Sequence, residues 1–248
     1  MLPPRSPWQA GFPEVVLHTT LRIRDRHPDF PAAKAGDLDA ALTLAAELLS
    51  ADSVTGLQAI VGDGGAILLP VTAFEAEGHN AIPDAMAQLL SERLHWPVSL
   101  GDIVQSNRVG HTRAPAFNRL VTPASFEGPV VAGANYVLVD DHVGLGGTLA
   151  NLKGHVEHSG GSVVAMTTLT ESRDARRIAL RADLLNVLRQ QHGDGLEHLW
   201  QEQVGHGLDR LTNIEGEVLR RELSVDAIRD RLAQAAIEAR ERGLDAAL

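Results

Sequence analysis

The chain has 248 residues, a formal charge of −10 and no cysteine. That length suits one sizeable domain with appendages, or two small ones. The acidic balance argues against a general nucleic-acid-binding surface, and the absence of thiols excludes a disulfide framework or a thiolate metal site. Hydrophobic residues make up 44% and aromatic residues only 4%, so the expected core is large and aliphatic. Residues 1–12 lack the apolar stretch of a signal peptide, and no apolar run approaches membrane-spanning length. The expectation is a soluble protein of the cytoplasm without membrane contact.

Leu2 to Pro13 reads as a proline-rich arm, Val15 to Ile23 as a strand, and His27 to Gly36 as a turn region. Asp37 to Ser50 has the pattern of a helix. Asp37 is placed to cap it, and Leu38, Ala41, Leu42, Ala45 and Leu48 form its apolar stripe. Ala66 to Val71 is a short strand. A helix starting at Asn80 or Pro83 runs to Leu94, and Pro97 to Val104 has weak strand character. Tyr136 to Val139 is the central strand, Thr148 to His158 a helix closed by Gly160-Gly161, and Ser162 to Leu169 a further strand. Strands alternating with helices predict an α/β fold with a largely parallel central sheet flanked by helices. Beyond Ser172 the pattern turns helical: Ala175 to Gln191, Gly195 to Val204, Ile214 to Leu223 and Val225 to Arg242, with breaks at Gly193, Gly205–Gly207 and Ser224. The chain therefore divides into an N-terminal arm and supporting segment (1–60), a core (61–170) and an α-helical C-terminal extension (171–248).

The most informative stretch is Tyr136-Val137-Leu138-Val139-Asp140-Asp141 followed by His142-Val143-Gly144-Leu145-Gly146-Gly147-Thr148. A strand runs into two adjacent carboxylates, then a glycine-rich turn, then a helix. Such a junction offers backbone N–H groups at a helix N-terminus, where the helix dipole favours a phosphate. The aspartates beside it can accept hydrogen bonds from vicinal hydroxyls or hold a divalent cation. A P-loop requires a Lys that this loop lacks, and the dinucleotide fingerprint requires a third glycine at another offset. The bland alternative is a strand–turn–helix whose aspartates cap and whose glycines turn.

This stretch resembles the phosphoribosyl pyrophosphate (PRPP) motif of the type I phosphoribosyltransferases. The resemblance implies that Asp140 and Asp141 bind the ribose hydroxyls and Mg²⁺, and that Val143, Gly144, Leu145, Gly146, Gly147 and Thr148 wrap the 5-phosphate. The family often has Thr at the positions of Gly144 and Leu145, so two hydroxyls are missing here. Some members carry an acidic residue at the Gly144 position that assists a purine; its absence points away from the purine-salvage branch.

Two further segments fall where that family places function. Thr72 to Asn80 occupies the position of the pyrophosphate loop, which implicates Thr72 and Ala73; its Gly78-His79-Asn80 is similar to the Gly-Phe-Asn of the competence-associated phosphoribosyltransferase-like proteins. Ser106 to Arg119 is the most basic stretch of the chain and lies where the family has a mobile catalytic loop, so Arg108, His111 and Arg113 are candidates to assist the leaving pyrophosphate, with Arg119 on the following segment. A solvated surface loop is the competing reading. His155 and His158 share a helix face but have no third ligand at suggestive spacing. The family implies Mg²⁺-dependent transfer of the 5-phosphoribosyl group from PRPP to a nitrogen acceptor, in a homodimer, with the acceptor recognised by a hood segment that either residues 1–60 or residues 171–248 supply. The other reading is a non-catalytic PRPP-sensing regulatory or interaction protein.

Overall fold

The structure is a computed structural model and describes residues 3–75, 78–109 and 114–244. Strand β1 (Val16–Leu17) precedes helices α1 (Leu21–Arg24), α2 (Phe30–Lys34), α3 (Leu38–Leu48) and α4 (Ala51–Val61). Strand β2 (Ile67–Pro70) leads to an antiparallel pair, β3 (Phe74–Glu75) with β4 (Gly78–His79), and then to α5 (Ile82–Leu94). A second small antiparallel pair, β5 (Val104–Gln105) with β6 (Phe126–Glu127), brackets α6 (Ala116–Val121). The motif region follows as β7 (Asn135–Val143), α7 (Gly147–His158) and β8 (Ser162–Glu171). The chain continues through α8 (Ala182–Val204), a 3-10 turn at Leu208–Arg210, α9 (Asn213–Arg220) and α10 (Val225–Glu241).

Four strands pair in the order β1-β8-β7-β2, all parallel, with β7 and β8 in the middle. Tyr136 to Val139 are all buried, as a strand covered on both faces requires. Pleat alternation divides β7 between two cores. Val137 and Val139 pack with α3, α4 and α5, whereas Tyr136 and Leu138 pack with Leu149, Leu152 and Val156 of α7. A third core joins α6 to the C-terminal helices through Phe117, Leu120, Leu188, Trp200, Leu219 and Leu232. The α/β fold with a parallel central sheet, flanking helices and C-terminal helices is therefore the one expected.

Local differences have identifiable causes. Of Val15 to Ile23, only Val16 and Leu17 join the sheet, opposite Thr167 and Thr168; Leu21 and Ile23 sit exposed on a helical turn. The expected turn region at His27 to Gly36 contains α2, which has Pro31 in its first turn, where the missing N–H costs nothing. Residues 51–61 form a helix the periodicity does not announce, capped by the Ser50 hydroxyl. Residues 175–181 are not helical, and the helix starts at Ala182. Pro97 to Val104 contributes one parallel bridge, Val98 to Leu68, and the start of β5. The N-terminal arm lies along α7, where Lys153 donates to the Pro7 carbonyl, and Trp8 of the arm donates to the Leu211 carbonyl just after the 3-10 turn.

Candidate functional site

A cavity of about 660 Å³ opens beyond the carboxyl ends of β2 and β7, the position where open parallel sheets bind ligands. Its wall includes Val71 and Ala73 after β2, Asp140 to Leu149 from the motif, Arg24 and Lys34 from the N-terminal helices, and Arg119 from α6. The motif differs from expectation in one respect. The strand does not end at the aspartates but runs through them, with Asp140 opposite Thr168, His142 opposite Thr170 and Val143 opposite Glu171. Both carboxylates are thereby held on rigid strand backbone.

The two aspartates have different surroundings. Asp141 is buried, with its Oδ2 3.3 Å from Lys34 Nζ and 3.8 Å from Arg24 Nη1. Burial alone would raise its pKa, but Lys34 and Arg24 together bring it below the ordinary value. Asp140 is half-buried, and its Oδ1 accepts the Asp141 N–H at 2.8 Å. Burial and the neighbouring Asp141 charge raise its pKa well above the usual range, and Lys34 offsets this only in part. Arg24 is fixed by a hydrogen bond to Thr170 Oγ1 (2.9 Å), by Asp25 (2.8 Å) and by its place 4.7 Å from the Phe30 ring centroid. His142 Nδ1 and Nε2 lie 2.9 Å from the hydroxyls of Thr170 and Ser172, and burial together with Arg24 holds the ring below its ordinary pKa.

Next to the aspartates is the start of α7. Gly146 is its N-cap, at φ 84°, and no side chain caps the first turn. The first-turn N–H groups of Gly147 and Thr148 therefore remain available where these residues line the cavity. A Cβ at Gly144 would stand 2.8 Å from Arg119 Nη1, so the loop passes directly under that guanidinium. Arg119 is half-buried, and burial lowers its pKa from the ordinary arginine value. Behind the loop Arg5 and Glu215 form a bidentate pair at 2.6 and 2.8 Å, and Arg5 Nε donates to Asn151 Oδ1 at 2.6 Å. Glu215 also closes a capping box with Thr212, whose hydroxyl donates to the Leu145 carbonyl. A Cβ at Gly147 would lie 2.9 Å from Glu215 Oε1, so only a residue without one sits easily here.

The structure brings Asp140, Asp141, Val143, Gly144, Leu145, Gly146, Gly147 and Thr148 onto one cavity together with Ala73. Thr72 is buried beside it, with its hydroxyl unpaired. Segment 72–80, expected at the position of the pyrophosphate loop, carries the β3–β4 pairing. Arg108 is exposed and is not part of the cavity wall, whereas the following Val109 is. His111 and Arg113 lie outside the described residues. Sequence reasoning missed Arg5, Arg24, Lys34, Trp200, His206 and Glu215, all of which line the cavity. Nothing local marked them, because each comes from a segment far from the motif. Among the described residues no cluster of three or more His, Asp or Glu is arranged to hold a metal ion, and no single helix is long and apolar enough to cross a membrane.

No family model matches the chain. It is similar to "Protein TraN" of Escherichia coli, 42% identical over 238 residues that cover 96% of this chain and 53% of that protein. It is also similar to an uncharacterized protein of Haemophilus influenzae, 41% identical over 152 residues covering 61% of this chain and 34% of that one. The chain thus spans about half, or less, of the length of these curated relatives. Solved structures similar to it include an adenine phosphoribosyltransferase (17% identity, 55% of this chain and 71% of that one, TM-score 0.33) and the UMP synthase of Leishmania donovani (15% identity, 79% and 33%, TM-score 0.33). At TM-scores of this size the likeness assigns no role to any residue.

Proposed function

We propose that this protein binds PRPP in the cavity and transfers its 5-phosphoribosyl group to a nitrogen acceptor, releasing pyrophosphate. The observation that carries the reading is the juxtaposition, on one wall, of an uncapped helix N-terminus (Gly146 to Thr148), a strand-borne carboxylate (Asp140) and the Arg119 guanidinium. The 5-phosphate sits on the first-turn N–H groups of α7 under Arg119. The ribose hydroxyls donate to Asp140, which ionises as they replace its missing partners. The pyrophosphate lies towards Ala73, where Lys34 and Arg24 supply positive charge to the departing diphosphate. The enclosing helices keep water from the electron-poor sugar carbon that forms as the bond to pyrophosphate breaks.

The residues do not make a resident site for Mg²⁺. Asp141 is already engaged by two cations, burial and the Asp141 charge hold the Asp140 pKa up, and among the described residues no third ligand converges. A divalent ion belongs with the diphosphate of the substrate and not with this chain.

One observation favours a second reading, a non-catalytic PRPP sensor: the Lys34–Asp141 contact withdraws one of the two motif carboxylates from the ligand. Calorimetric titration with PRPP, followed by an assay for pyrophosphate release with a panel of nitrogen acceptors, separates the two. Binding with turnover supports transfer, and binding without turnover supports sensing. Unchanged PRPP affinity in Asp140→Asn would remove the site assignment altogether.

A further inference from the structure

α6 and the C-terminal helices line the cavity with two charged side chains, Arg119 and Glu215, and with a patch that differs in kind. Leu120, Trp200, Val204 and His206 line it, and Leu120 and Trp200 belong to the helical core behind. His206 is 3% exposed, with its ring edge-on to Trp200 at 6.2 Å between centroids. Its Nδ1 lies 2.9 Å from the Gly207 carbonyl oxygen. A carbonyl can only accept, so Nδ1 carries the proton and Nε2 keeps its lone pair. With Nδ1 turned to its own backbone neighbour, Nε2 is the ring nitrogen left for the cavity. Burial first, and then nearby Arg5, hold the ring pKa down to about 4, so the imidazole is neutral at physiological pH; Arg210 acts in the same direction as Arg5, and Glu215 against them. The indole Nε1–H of Trp200 is also buried without an acceptor.

A neutral lone pair among apolar side chains repels phosphate and carboxylate oxygens and favours an uncharged N–H. This wall is therefore unsuited to either phosphoryl end of the donor. A planar nitrogen heterocycle has both features the wall can use: an apolar face for Leu120 and Val204, and an N–H edge for His206 Nε2. We infer that the C-terminal helices form the acceptor-recognition surface, and that His206 selects an uncharged N–H heterocycle over an anionic one. The inference rests on the phosphoribosyl reading of the same cavity, and it gives the C-terminal helices a place in specificity.

The test uses the full chain. Wild type, His206→Leu, His206→Gln and Val204→Trp are titrated with PRPP alone, and with adenine, uracil and orotate in its presence and absence. Heat and Trp200 emission, in a Trp8→Phe/Trp96→Phe background, are the readouts. Wild type is expected to bind adenine or uracil and to reject orotate, which bears a carboxylate. His206→Leu weakens the bound base about tenfold, the size of one lost hydrogen bond, without moving PRPP affinity. His206→Gln, whose amide oxygen accepts, recovers most of that loss, and Val204→Trp blocks the base while PRPP still binds. Preference for orotate, no base bound to wild type, or equal base affinity in His206→Leu would overturn the inference. Wild type failing to bind PRPP would remove the phosphoribosyl reading separately, and the base titrations made without PRPP would still decide the role of His206.

Discussion

Two buried ionic clusters flank the motif, and they are built to opposite standards. Behind the glycine-rich loop, Arg5 and Glu215 meet in a bidentate pair with 6% and 2% side-chain exposure, and Asn151, the Arg210 carbonyl and the Thr212 N–H take up further hydrogen bonds. In front of it, Asp141 draws on Lys34 and Arg24 at 3.3 and 3.8 Å, and the adjacent Asp140 has no cation within ion-pair distance among the described residues. The first cluster is closed and satisfied, the second loose and strained. A group meant only to hold the fold is best fully paired, whereas one meant to meet a ligand must keep part of its bonding capacity unspent.

Removing Glu215 tests the closed cluster and carries the largest expected effect. Glu215→Ala leaves Arg5 buried and unpaired and should cost about 3–5 kcal/mol in urea denaturation at neutral pH. A double Arg5→Met/Glu215→Met variant should recover much of that, because no uncompensated charge then remains. Burial would raise the Glu215 pKa, but Arg5 brings it below the ordinary 4.5. Its contribution is therefore present above 4.5 and lost as pH falls through the lower folded-state value. Glu215→Gln should flatten that part of the acid limb.

The loose cluster should respond less. Asp141→Asn leaves Lys34 and Arg24 facing a neutral amide, with an expected loss of about 1.5–3 kcal/mol by the same denaturation measurement. Asp140 should move the other way. Its folded-state pKa is raised, so the stability linked to its proton is full below the unfolded value and lost as pH rises through the folded value. Asp140→Asn should raise the melting temperature by about 2–4 °C at neutral pH and leave it unchanged at pH 3, while PRPP affinity falls. A lower melting temperature at neutral pH would mean that Asp140 is not strained. The smallest effect belongs to Gly144→Ala. The new methyl meets the mobile end of Arg119, so stability should stay within about 0.5 kcal/mol, and calorimetry should show the cost as weaker PRPP binding.

The parts of this arrangement legible in the sequence are those written in consecutive residues. The Asp37 cap accepts from Ala40 as its position implied, β7 and α7 lie where the apolar run and the glycines place them, and residues 143–148 line the cavity together. What was not legible is long-range. Arg5 and Glu215 are 210 positions apart, and Lys34 and Asp141 are 107 apart; no periodicity links them. Residues 171–248 read as an appendage because helical pattern reveals a helix's apolar face but not its partner. That partner is α6, which begins within the basic stretch and runs two residues past it, with Phe117 and Leu120 supplying the apolar contact. Val15 to Ile23 misled for a related reason: alternation describes a strand's faces, but pairing length is set by the neighbour, and β8 offers β1 two partners.

The clasp of Arg5 by Glu215 also bears on the order in which the molecule is made. Synthesis delivers the glycine-rich loop long before the residue that braces it: Glu215 follows Gly147 by 68 positions (215 − 147). Until α9 has emerged and docked, Arg5 has no counter-ion and the loop lacks its backing. Contacts this distant in sequence form late, so the parallel sheet can assemble first, around a pocket that gains its shape only in the final step. A nascent chain that already has its sheet would thus lack the backing of this loop until α9 has docked.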